Sequence, residues 1–243
     1  MSGIVGYIGT RYSVPILLEG LKRLEYRGYD SAGISILNNG ILLNRMVEGR
    51  VAKLAEIWNA VDGDSTMGIG QTHSENDGDS DSTKVLPYID CTGKLTLVLS
   101  GIIDNYLSLR NGLEANGHQF TTKTDAEVIV HLIEESSKKT DKLESAVRSA
   151  ISEIEGSFAI TVMSQNEPDK LIAVGCGAPL AIGYGTREFF IASDPIAINN
   201  YSNRIVFLKN GEIAIVTQND VYFKSLENYS PLKETADAFN VKV

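Results

Sequence analysis

Cysteine is nearly absent from this chain: Cys91 and Cys176 are the only two thiols in 243 residues. Two cysteines without C-x-x-C spacing exclude a disulfide scaffold and a thiol redox motif. Both read as small buried hydrophobes rather than reactive groups. Histidine is as sparse, and His73, His118 and His131 are scattered with no metal-ligand spacing among them. Positive charge is in deficit too: 22 Lys and Arg stand against 31 Asp and Glu, a net charge of −9. That balance disfavours nucleic acid and anionic membrane as partners. No apolar run is long enough to span a bilayer, and the N-terminus lacks a basic stretch leading into an apolar one. A soluble, cytoplasmic protein is the expectation. Phosphate-loop and dinucleotide-binding glycine patterns are missing, so no cofactor and no metal is expected. Glu75, Asp77, Asp79 and Asp81 alternate with small residues, but a calcium loop needs glutamate at its twelfth position, where Leu86 or Tyr88 falls. A solvated acidic loop is expected there instead.

What remains is ordinary globular composition, 43% hydrophobic and 22% charged, in a chain long enough for one sizeable core. Residues 2–8 form a Gly-punctuated apolar run that fits a buried strand. Ser13 and Pro15 open a helix, the first as cap and the second in the first turn; Ile16, Leu17, Gly20, Leu21 and Leu24 share its inner face. Strands at 31–37 and 41–46 flank a hairpin turn at Asn38-Asn39-Gly40. Val51, Leu54, Ala55 and Trp58 mark a second helix, and 67–71 and 94–99 two more strands. The middle is helical. Tyr106, Leu109 and Leu113 share a stripe; a capping box from Thr124 to Glu127 precedes Val128, Ile129, Leu132 and Ile133; Leu143, Val147, Ala150, Ile151 and Ile154 follow, capped by Asp141. From Ser157 onward strands take over, at 158–163, 171–174, 189–192, 205–208 and 212–216, with turns at 166–169 and Asn210-Gly211. Clustered helices between groups of strands predict an α+β layout of helix-covered sheets.

Several motifs then fall into a familiar order. The chain carries Ser2-Gly3-Ile4-Val5-Gly6-Tyr7-Ile8-Gly9, then Leu24-Glu25-Tyr26-Arg27-Gly28-Tyr29-Asp30-Ser31-Ala32-Gly33 within a longer segment from 17 to 33. Gly101-Ile102-Ile103-Asp104-Asn105-Tyr106, Thr124-Asp125-Ala126-Glu127-Val128 and Ala192-Ser193-Asp194 follow. Together they resemble the class II glutamine amidotransferases, most of all the glutaminase domains of glucosamine-6-phosphate synthases. The resemblance covers nearly the whole chain. It implies a four-layer αββα sandwich of the N-terminal-nucleophile hydrolase type, as a single glutaminase-type domain over 1–243 with no sugar-isomerase domain.

The resemblance also marks the positions where chemistry belongs, and there the chain departs from the family. Where the family's catalytic Cys stands this chain has Ser2, and a hydroxyl is a far poorer nucleophile than a thiol. In that mechanism the base is the α-amino group of residue 2, which requires removal of Met1. The family's oxyanion hole pairs an Asn amide with the N–H of the next Gly; here Ser100 precedes Gly101, and its hydroxyl is too short to reach the same oxygen. The glutamine loop reads Gly68-Ile69-Gly70-Gln71-Thr72-His73-Ser74-Glu75. His73 replaces the Arg that pairs with the glutamine α-carboxylate, Ser74 replaces a Trp lid, and acidic residues have arrived beside them. Asp125 matches the family's ligand for the glutamine α-ammonium, and an acidic residue also suits the first turn of a helix. Arg27 lies in the segment that backs the nucleophile. The expected site is therefore Ser2, Ser100 and Gly101 as the catalytic positions, with His73 and Asp125 for substrate. Two functions stay open. One is an inactive pseudo-glutaminase serving as a binding or regulatory subunit, with glutamine or a related small molecule held weakly and a separate sugar-isomerase subunit as partner. The other is an amidohydrolase or glutaminase that uses Ser2.

Overall fold

A computed structural model describes residues 2–59, 64–74, 87–202, 204–232 and 239–240; the acidic stretch of 75–81 lies outside them. The apolar run at the head of the chain becomes strand β1 (Ser2–Ile8), buried along its whole length. Helix α1 (Ser13–Arg23) follows, then β2 (Ser31–Asn38), β3 (Ile41–Glu48), α2 (Val51–Asn59) and β4 (Met67–His73). Asn39 and Gly40 adopt φ of 48° and 77°, the left-handed pair that a two-residue hairpin turn requires. The middle holds β5 (Tyr88–Ile89), β6 (Leu95–Ile103), α3 (Tyr106–Ala115), α4 (Asp125–Ser137) and α5 (Leu143–Ile151). Strands β7 (Gly156–Ser164), β8 (Glu167–Cys176), β9 (Ala181–Gly185), β10 (Glu188–Ala192), β11 (Arg204–Phe207), β12 (Glu212–Thr217), β13 (Val221–Ser225) and β14 (Phe239–Asn240) complete it.

Two antiparallel sheets result. One runs β14-β11-β9-β10-β1-β4-β2-β3 and the other β13-β12-β8-β7-β6-β5. The apolar stripes of α1 and α2 (Leu17, Leu21, Val51, Leu54, Trp58) close on the outer face of the first sheet. Val128, Ile129, Leu132, Ile133, Val147 and Ala150 of α4 and α5 close on the outer face of the second. Between the sheets lies a third core, with Ile4, Ile69, Val98, Ala159, Ala173 and Ile191. Each sheet is thus buried on both faces, which explains why β1, β4 and β6 read as apolar runs rather than alternations. The layers stack αββα, the α+β sandwich expected.

The helix caps differ from expectation. Ser13 is the first helical residue rather than the cap, its hydroxyl is buried without a partner, and its N–H is taken by Ser65 O at 2.7 Å. Thr124 occupies the cap position of α4, but its hydroxyl pairs with that of Thr122. The Glu127 carboxylate turns further back, accepting from the N–H groups of Thr121 and Thr122 at 2.7 Å each. Lys142, not Asp141, precedes α5, and the N–H of Leu143 is met by Glu167 of β8. At α1 and α5 a tertiary partner, Ser65 or Glu167, takes the place of the local cap, while at α4 the residues just before the helix do. Strand β6 runs past the expected end at Leu99, because β7 pairs with it as far as Ile103↔Gly156. Ile154 packs on the core from beyond the end of α5. Pro168 lies within β8, so the turn before that strand is Gln165-Asn166 rather than 166–169.

Candidate active site

The site residues converge at the N-terminal end of β1. Antiparallel pairing puts Ser2 opposite His73 of β4, and His73 in turn opposite Ser31 of β2. The Ser2 hydroxyl lies 3.0 Å from His73 Nδ1, and Ser2 is buried. Two further hydrogen bonds fall on the Ser2 carbonyl. Ser100 Oγ donates to it at 3.0 Å from β6 of the second sheet, and Arg27 Nε donates at 3.3 Å. A second tie between the sheets runs from the N–H of Leu99 to Gln71 Oε1 at 3.0 Å. Position 101 accepts only glycine. Its φ is +139°, and a Cβ there would lie 2.2 Å from Ser157 O and 2.5 Å from Phe158 Cα.

Asp125 opens α4, and its Oδ2 accepts from the N–H of Ile103 at 2.9 Å, two residues past Gly101. Burial pushes the Asp125 carboxyl above its ordinary value, against the pull of the Ile103 and Ala126 N–H groups. Arg27 also approaches Asp194 Oδ2 at 4.0 Å, and the same oxygen accepts from Tyr26 OH at 2.7 Å. Ser193 Oγ accepts from the N–H of Ile4 at 3.0 Å. The two segments around Arg27 and Asp194 therefore meet at the head of β1. Gly28 lets the first of them lie flat on the loop after β4, since a Cβ there would sit 2.5 Å from the His73 carbonyl carbon. Asp30 fixes that loop from both sides: its N–H donates to His73 O at 3.0 Å, and its carboxylate accepts from Ser74 Oγ at 3.0 Å.

The structure thus gathers Ser2, His73, Ser100 and Gly101, and ties Asp125 to the same strand end. Gln71, Tyr26 and Ser193 lie within the motifs quoted from sequence but carry no role there; membership of those motifs is their only signal. A serine hydroxyl within hydrogen-bond reach of an imidazole is an arrangement competent for proton transfer. The Ser100 hydroxyl, in contrast, is committed to a backbone carbonyl.

Two expectations about sparse residues are corrected. Cys91 is exposed rather than buried. His118 and His131 are not scattered: their rings lie 5.3 Å apart, with Cys91 Sγ 3.7 and 3.5 Å from their Nδ1 atoms. Cys91 lies in the turn between β5 and β6, His118 lies in the α3–α4 connection and His131 on α4, so no spacing rule in the sequence links them. Cys176 is half-buried, and burial pushes its thiol above the ordinary value. Among the described residues, no helix is long and apolar enough to cross a membrane.

Solved structures share this architecture. One is a glutamine phosphoribosylpyrophosphate amidotransferase from B. subtilis, complexed with ADP and GMP, with a TM-score of 0.78 at 23% identity over 93% of this chain and 49% of that one. Another, the allosteric regulatory enzyme of purine biosynthesis, gives a TM-score of 0.80 at 22% identity over 93% of this chain and 49% of that one. These likenesses show a shared fold, the αββα sandwich described above. Sequence similarity narrows this. The chain is 42% identical to a glutamine–fructose-6-phosphate aminotransferase (isomerizing) from Chlorobaculum tepidum over 98% of its own length, and 43% identical to one from Thermococcus kodakarensis over 93%. It spans 39% and 38% of those two proteins. Residues 78–200, just over half the chain, match the family model described as a glutamine amidotransferase domain, and the chain belongs to that family.

Proposed function

We propose that this chain is a cytoplasmic pseudo-glutaminase: a glutaminase-type domain that does not hydrolyse glutamine and acts as a binding or regulatory subunit. The observation that carries the reading is the Ser100 hydroxyl, which donates to the Ser2 carbonyl at 3.0 Å. A donor held by its own backbone cannot stabilise an oxyanion, and losing one such donor costs about 10²–10³ in turnover. Ser2 adds a second deficit, because a hydroxyl is a far poorer nucleophile than the thiol it replaces. His73 carries no permanent charge, so the α-carboxylate of glutamine loses a fixed cation, while Asp125 still offers a carboxylate to the α-ammonium. Glutamine binds weakly in this reading, and any part in amino-sugar synthesis runs through a separate sugar-isomerase subunit. Purified protein incubated with glutamine is expected to release no more ammonia than a Ser2→Ala variant. Ammonia release that vanishes in Ser2→Ala would overturn the proposal.

A second reading has one specific support, the 3.0 Å contact between Ser2 Oγ and His73 Nδ1. It makes Ser2 a nucleophile with His73 as its base, a pairing that works without the α-amino group. An acyl adduct on Ser2 by intact mass, with turnover lost in both Ser2→Ala and His73→Ala, would select this reading over the first.

A further inference from the structure

We propose that Cys91, His118, His131 and Glu134 form a zinc site, with Cys91 Sγ, the two Nδ1 atoms and Glu134 Oε2 as its four ligands. The ligand set lies away from the head of β1. It joins the turn between β5 and β6, the α3–α4 connection and the face of α4.

The distances fit a tetrahedron. The four residues offer ligand atoms that all lie within 4.8 Å of one another. Ordinary zinc bond lengths put the sulfur–nitrogen edge of a tetrahedral site at about 3.5 Å and the nitrogen–oxygen edge at about 3.3 Å. Observed sulfur–nitrogen separations are 3.7 and 3.5 Å, and both nitrogen–oxygen separations are 3.1 Å. A thiolate and a carboxylate together cancel the ion's two positive charges, which suits a cluster in which both imidazoles are buried.

Proton bookkeeping points the same way. A neutral imidazole has one N–H, yet each ring faces carboxylates at both nitrogens. His118 Nε2 lies 2.9 Å from Glu135 Oε2 while its Nδ1 faces Glu134. His131 Nε2 is 3.6 Å from Glu127 Oε1, buried and without a hydrogen-bond partner, while its Nδ1 also faces Glu134. Without a cation, each ring either sets one lone pair against a carboxylate or takes a second proton. A zinc ion resolves the conflict. Protons stay on Nε2, directed to Glu135 and Glu127, and both Nδ1 lone pairs turn to the metal, the usual carboxylate–histidine–metal relay. The N–H of Gln119 points at Cys91 Sγ at 3.4 Å, a donor that a metal-bound sulfur would keep. Four protein ligands close the coordination sphere, so the site is structural rather than hydrolytic. It clamps the helical layer to the edge of the six-stranded sheet.

The test uses the full chain, free of any affinity tag and stripped with a chelator, titrated with Zn²⁺ and with Co²⁺ as a spectroscopic probe. One zinc per chain is expected, with Tm raised by about 5–10 °C at free zinc 100 times Kd. The Co²⁺ form is expected to show the intense visible bands of a tetrahedral site and a sulfur-to-cobalt charge-transfer band, the latter lost in Cys91→Ser. Cys91 is exposed, so that variant folds without the metal. Glu135→Gln, which touches a ligand but not the ion, is expected to weaken zinc binding about 10–100-fold. Stripped protein that takes up no zinc, or Cys91→Ser with unchanged affinity and an unchanged cobalt spectrum, would overturn the proposal.

Discussion

Replacing Gly101 by Ala tests whether the strand end beside Ser2 is as constrained as its geometry implies. Two penalties add. An alanine at φ +139° is held outside the regions L-residues adopt, worth about 1–3 kcal/mol. Its Cβ also meets the backbone of β7 at 2.2 and 2.5 Å, closer than any real methyl contact, and forcing such a group into packed structure costs about 1–3 kcal/mol more. A total of about 2–6 kcal/mol lowers the Tm of a domain this size by about 4–24 °C. Gly40→Ala is the internal control. Its φ is +77° but nothing lies within 4 Å of the added methyl, so only the backbone term of about 1 kcal/mol remains. Thermal melts followed by circular dichroism compare the two variants directly. If Gly101→Ala melts within about 2 °C of Gly40→Ala, the close approach of β7 to β6 is not what demands glycine, and the reasoning fails.

Three further outcomes are expected. Gly28→Ala drives a methyl into the backbone of His73 and Ser74 at 2.5 and 2.6 Å; it should cost about 1–3 kcal/mol and move the His73 ring resonances in an NMR spectrum, whereas unmoved resonances would show that Gly28 does not position His73. Burial raises the Glu127 carboxyl, but His131 and the donors of Thr122 and Thr121 outweigh it and hold it at about 2. Its contribution, about 3 kcal/mol, is full above the usual Glu value of 4.5 and lost as pH falls toward 2; chelator-treated Glu127→Gln should therefore lie below wild type in urea melts at pH 7, the gap closing on acidification, and a gap independent of pH would refute this. Asp125 has the opposite sign. Its pKa is raised by burial, so the ionised carboxylate costs stability at neutral pH and the cost disappears as pH falls through that raised value; Asp125→Asn should match wild type within about 1 kcal/mol at pH 7, and wild type should gain on it in acid, while a relative loss in acid contradicts the burial argument.

Much of this architecture was legible in the residues. The stripe of Leu17, Leu21 and Leu24, the Asn39-Gly40 turn and the apolar face of α4 are local signals, and local signals survive folding. Caps were not legible: Thr124 and Asp141 have the right chemistry, but Glu127 turns back to the N–H of Thr121 ahead of the helix, and Glu167 reaches Leu143 from β8, a partner only the tertiary fold brings near. Strand β9 was missed because glycines at 183 and 185 hide it, although it pairs on both edges, with β10 and β11. At the candidate site the resemblance picked out Ser2, His73, Ser100 and Gly101, which do meet. It gave no hint that the Ser100 hydroxyl turns to Ser2 O, because a side-chain rotamer leaves no trace in a motif. Cys91 with His118 and His131 was invisible for a different reason: ligand sets announce themselves by spacing within one element, and these come from three places.

Strand β1 is clasped by β4 on one side and by β10 on the other. More than a hundred residues separate those two neighbours in the chain. On a ribosome adding roughly 5–20 residues per second, the segment bearing Ser2 spends several seconds with one apolar edge open. Such an edge invites pairing with other nascent chains, so this domain is one whose yield in cells should depend on chaperone capacity during synthesis more than on the stability of the finished product.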